Sequence, residues 1–145
     1  MKFPLLVLAS IAMAVLLTGS DGTPPVTYIN HEKVAAAVAG KGSLVTASDL
    51  LVMGSHRSGP GRVELHEKET DVIYIVDGEA TFVTGGKMVG GKVVSPGQQM
   101  GTDMQGGKVY HLTKGDVIVV PAGIPHWFKE VPHSVSSFVV KVLKQ

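Results

Sequence analysis

Beyond residue 42 the chain runs in short stretches of apolar and β-branched residues punctuated by glycine and proline, which predicts strands almost throughout. The runs fall at residues 44–46, 50–57, 62–66, 71–76, 81–84, 108–112, 116–120, 125–130 and 136–143. Asp77-Gly78 lies between two of them and predicts a tight hairpin turn, because both residue types tolerate positive φ. Gly85-Gly86 predicts a second turn. Residues 90–107 break the pattern with a concentration of glycine around Gln98, Gln99, Met100 and Met104, and predict an irregular rim or lid.

Ahead of the strands, residues 28–39 predict the one helix. Asn30 can cap it, Glu32 sits in its first turn, the alanine-rich run 34–39 propagates it and Gly40 stops it. Residues 21–27 form a Gly/Pro-containing linker. Residues 1–20 read as a secretory leader: Lys2 precedes a continuous apolar run over 3–17, and small residues suit cleavage after Ser20. That run is short of the ~20 residues a spanning helix needs. The expectation is an exported protein, free of the membrane once the leader is removed, with residues 28–145 as a single domain.

Composition narrows the function classes. A net charge of +1, with the basic residues dispersed, offers no footprint for nucleic acid. The chain has no cysteine, so an exported domain must be stable without disulfides. No nucleophile motif, phosphate-binding glycine loop or dinucleotide fingerprint is present. Any catalysis is therefore expected to be metal-centred or general acid–base.

Strand periodicity gathers the candidate chemistry. Glu64 and His66 point to one face of their strand, taken as the interior, which sends Val63 and Leu65 outward. On the next strand Asp71, Ile73 and Ile75 face inward. Val72, Tyr74 and Val76 make an apolar outer stripe that predicts a homodimer. His126 follows a rigid Pro121-Ala122-Gly123 turn, with Phe128 on its face as a pocket wall and Trp127 on the outside or at an interface. Two histidines and two carboxylates make a plausible site for a divalent cation. Arg57 is either a holder of an anionic group or a solvated loop arginine. Glu130 is either a partner of the ligands or a rim charge, and His31, His56, His111 and His133 are surface or satisfied histidines.

Two motifs in these stretches resemble the cupin superfamily. Its second motif, G-x5-P-x-G-x2-H-x3-N, is matched by Gly115, Pro121, Gly123 and His126, with Glu130 in place of the asparagine. Its first, G-x5-H-x-H-x3-4-E-x6-G, keeps the frame His66, Asp71 and Gly78, with Glu64 for the first histidine and Asp71 for the glutamate. The resemblance implies an all-β double-stranded β-helix (jelly-roll-like) barrel. It also implies one divalent metal ion (Zn, Fe, Mn or Ni) on Glu64, His66, Asp71 and His126, beside a substrate pocket with Arg57, Ile73 and Phe128. The implied activity is a dioxygenase, isomerase or lyase acting on a small oxygenated substrate. The alternative is a non-catalytic small-molecule or carbohydrate-binding barrel, with or without metal.

Overall fold

The computed structural model describes residues 25–40 and 42–144, so the leader and most of the linker lie outside the described residues. The helix α1 (His31–Gly40) starts where Asn30 caps it: the Asn30 Oδ1 accepts the Lys33 N–H at 3.0 Å. Twelve strands follow: β1 (Ser43–Thr46), β2 (Leu50–Arg57), β3 (Val63–His66), β4 (Glu69–Thr84), β5 (Lys87–Val89) and β6 (Lys92–Ser95), then β7 (Gln98–Gly101), β8 (Asp103–Gln105), β9 (Lys108–Thr113), β10 (Val117–Val120), β11 (His126–Glu130) and β12 (Val135–Leu143). Ten of them form one curled antiparallel sheet, and β5 pairs with β8 in a separate two-stranded ribbon.

Asp77-Gly78 does not turn the chain back. It lies inside the sixteen-residue strand β4, whose first half pairs with β12 and β10 and whose second half pairs with β9 and β11. Between Ser136 and Ser137 the β12 register skips Val76, and Gly78 next to this bulge takes φ 80°. The positive φ that suggested a hairpin is used instead to bend one long strand from one side of the barrel to the other. A side chain is excluded there, because a Cβ on Gly78 would stand 2.0 Å from the Ser134 carbonyl oxygen.

The core fills the space between the two halves of β4. Ile73, Ile75, Phe82, Phe128 and Val139 are buried together, and Phe82 meets Phe128 edge-on at 4.7 Å between centroids. A smaller cluster lies on the outside of β3. Val63, placed outward by alternation, is completely buried against Val83 and Met104, with Met88 and Trp127 packed on them. The β5–β8 ribbon supplies Met88 and Met104, so the cover for this outer face comes from the chain itself.

Residues 90–107 are not a lid. They carry β6, β7 and β8, and β7 pairs with β3 residue for residue from Val63↔Gly101 to His66↔Gln98. This extends the barrel wall behind the candidate ligands. The glycines that disguised these strands allow close packing: a Cβ on Gly101 would stand 2.4 Å from the Met88 side chain.

Candidate metal centre

Three strands bring the candidate ligands together. β3 carries Glu64 and His66, the first half of β4 carries Asp71, and β11 carries His126 directly opposite Glu64. The two imidazole rings are 5.1 Å apart, and the His126 ring also stacks on Phe82. His66, Asp71 and His126 are buried, and Glu64 is half-buried. One donor atom from each of Glu64, His66 and His126 lies within 4.8 Å of the others.

Hydrogen bonds define the tautomers. Gln98 donates its amide N–H to Glu69 Oε1 at 2.7 Å, which turns its oxygen toward His66 Nδ1. His66 Nδ1 therefore carries the proton and donates it to Gln98. His126 Nδ1 donates to the Ile124 carbonyl at 3.1 Å. Both Nε2 atoms are left with bare lone pairs, standing 3.5 Å and 3.6 Å from the same oxygen, Asp71 Oδ2. Glu64 Oε2 is 3.5 Å from His66 Nε2. Donors spaced about 3.3 Å apart suit one ion with ~2.0 Å bonds in tetrahedral geometry. His66 Nε2 is buried and has no hydrogen-bond partner, an orphaned lone pair that a cation would satisfy.

The electrostatics favour positive charge at this site. Burial alone would raise the Glu64 pKa, but His66, Arg57 and His126 outweigh it and hold the carboxyl at about 2, down from 4.5. Burial also pulls His66 down, and the adjacent Glu64 and Asp71 more than reverse this, so its pKa stands above 6.5. His126 is lowered by burial and stays a neutral imidazole, the form that ligates metal.

Asp71 has a second partner that sequence reasoning missed. Lys141 on β12 donates to both of its oxygens, at 2.8 Å and 3.0 Å, and reaches Glu69 Oε2 at 3.0 Å. His66, Glu69 and Asp71 form a second set with metal-ligand spacing, and the Lys141 ammonium already supplies a cation to its two carboxylates. Among the described residues, the set formed by Glu64, His66 and His126 has no such internal cation at its centre, since Arg57 touches only the far oxygen of Glu64 at 3.3 Å.

Beside the ligands lies a cavity of about 110 Å³. Its wall includes all three residues expected to line a pocket: Arg57, Ile73 and Phe128. Arg57 holds its guanidinium 4.9 Å above the Phe128 ring. Glu130 is elsewhere, accepting a hydrogen bond from Thr81 at the surface. Trp127 donates to the Gly61 carbonyl at 2.9 Å. His56 bonds Ser136, His111 pairs with Glu79, and His31 and His133 are exposed.

A family model described as Cupin matches residues 62–143. The chain belongs to the cupin family. Solved structures similar to this cupin include a conserved Streptococcus pyogenes protein of unknown function, 18% identical with a TM-score of 0.51, covering 71% of this chain and 72% of that one. The cupin domain of Schizosaccharomyces pombe Cnp3 is 11% identical with a TM-score of 0.52, covering 71% and 59%. A conserved Klebsiella pneumoniae protein with a double-stranded β-helix domain is 16% identical, with a TM-score of 0.49 and coverage of 70% and 69%. At these identities the first two likenesses establish the fold alone. No curated protein matches the sequence.

Proposed function

We propose that this cupin binds one divalent metal ion through Glu64, His66 and His126 and acts on a small oxygen-bearing substrate in the adjoining cavity. The observation that carries the reading is that one donor atom each from Glu64, His66 and His126 lies within 4.8 Å of the others, with the His66 Nε2 buried and unpartnered. Two imidazoles and one carboxylate suit Fe, Mn, Ni or Zn, and leave positions open for a substrate. The metal, when bound, would supply Lewis acidity to polarise a substrate oxygen. The chain's own contribution is orientation and charge. Gln98 and the Ile124 carbonyl fix the two rings, and Glu64 stays ionised near neutral pH. Phe128, Ile73 and Val139 give the cavity an apolar stretch beside its charged groups.

Elemental analysis of protein purified without a metal-chelating column tests this. One equivalent of a single divalent metal is expected. Protein that stays metal-free after incubation with each candidate ion would overturn the metal reading and leave a non-catalytic binding barrel.

The cupin is further proposed to pair with a second copy through the outer face of the sheet. Tyr74, Val117, Val119 and Val142 are exposed there, and the register places Val117 and Val119 beside Tyr74 and Val72, with Phe138 and Val140 on the other side. Sedimentation velocity at micromolar concentration should give a dimer, and Val119→Lys should give a monomer. A monomeric parent protein contradicts the pairing.

A further inference from the structure

The cavity wall specifies more than an oxygen-bearing ligand. Two arginines enter it from different elements, Arg57 from the end of β2 and Arg62 from the residue before β3. Among the described residues Arg57 has one charged contact, the 3.3 Å approach to Glu64, and its buried Nε has no hydrogen-bond partner. A buried donor on a guanidinium is seldom left unmet, because the lost hydration is not returned. Arg62 is exposed at the mouth and makes no ion pair among the described residues. Lys141, the third cation on this wall, is already consumed by Asp71 and Glu69.

Charge bookkeeping points the same way. Arg57, Arg62 and Lys141 balance Glu64, Glu69 and Asp71 before any metal enters. A divalent ion on the ligand set then leaves a surplus of positive charge, which an anion would offset. Size and lining narrow the anion further. A volume of about 110 Å³ admits only a few heavy atoms. The remaining wall is mostly apolar, from Met53, Ile73, Phe128 and Val139, with hydroxyls from Ser55 and Ser137. The planar guanidinium fork, oriented by the Phe128 ring, matches a carboxylate better than a spherical ion.

We infer that the ligand is a short-chain carboxylate, with its carboxylate group against Arg57 and Arg62 and its apolar body on Met53, Ile73 and Val139. The inference rests on the cavity being the substrate site, as proposed above, but the arginine contacts do not require the metal.

The test is calorimetric titration of the purified protein with lactate and with its neutral isostere lactamide, each on metal-loaded and on EDTA-treated protein. Lactate should bind saturably in at least one of the two forms, with lactamide tenfold or more weaker. Arg62→Gln should weaken lactate by tenfold or more. Because Arg62 is exposed, this variant should keep the parent melting temperature, whereas Arg57→Gln also disturbs Glu64. Arg62→Lys should recover only part of the loss, since it restores charge without the fork. Equal affinity for lactate and lactamide, unchanged lactate affinity in Arg62→Gln, or no lactate binding to either form would overturn the inference. The metal reading survives any of these results if elemental analysis still finds the ion. Conversely, arginine-dependent lactate binding to a protein that never holds metal would support the carboxylate site while the metal reading fails.

Discussion

His126→Ala is expected to lose the proposed metal and to leave the barrel folded. Partners of ligands are themselves worth about 10- to 100-fold in metal affinity, so removing a ligand outright should cost at least a hundredfold. The ring contributes less to the fold. It stacks on Phe82 at 5.9 Å, but the buried cluster around Ile75, Phe82, Val135 and Val139 does not depend on it. His66→Ala should behave in the same way, since its ring reaches the site from β3 and meets Gln98 and Glu64 rather than the apolar core. Bound metal per chain by elemental analysis, with thermal melts followed by circular dichroism, provides both readouts. Metal retained at parent stoichiometry in both variants would sink the ligand assignment. Should either alanine variant fail to fold, His→Gln at the same position keeps most of the volume and tests the same point.

The legible parts of this chain were those whose alternation was ordinary. Glu64 and His66 could be placed on one face because Val63 and Leu65 take the other, and the Pro121–Gly123 turn marks where β11 and His126 begin. Three features escaped for physical reasons. At Gly78 a positive φ has two uses, a turn or a bulge, and only the pairing of β4 with β12 on one side and β9 on the other decides between them. In β7 and β8 glycine and glutamine hide strand propensity, although Gln98 lies opposite His66 and orients it. In β12 alternation leaves the inward face open: Phe138, Val140 and Val142 face outward while Ser137, Val139 and Lys141 face the cavity. A reader of alternation could not choose between the two sets, and so would not find the lysine that holds Asp71. The outward apolar set belongs to the same face that motivates the dimer.

Lys141→Met should make stability depend on metal. In the parent protein the lysine compensates two carboxylates at once, and only 5% of the Asp71 side chain and 14% of the Lys141 side chain are exposed. Removing one partner of a buried ion pair costs about 3–5 kcal/mol, because the charge left behind has neither water nor a counterion. In a domain of this size that corresponds to a melting temperature lower by roughly 12–20 °C. Methionine keeps most of the lysine's volume, so the loss reports charge rather than a void. The same substitution frees Asp71 Oδ2, which stands 3.5 Å and 3.6 Å from the two bare imidazole nitrogens and is otherwise engaged with the ammonium. Metal then has a fourth ligand and a second role, neutralising the aspartate the lysine had neutralised. Saturating Zn should therefore raise the melting temperature of Lys141→Met by more than it raises that of the parent. Adding Asp71→Asn to this variant should remove the extra gain. If Zn stabilises parent and variant equally, Asp71 is no latent ligand, and Lys141 serves the fold without deciding which oxygens reach the ion.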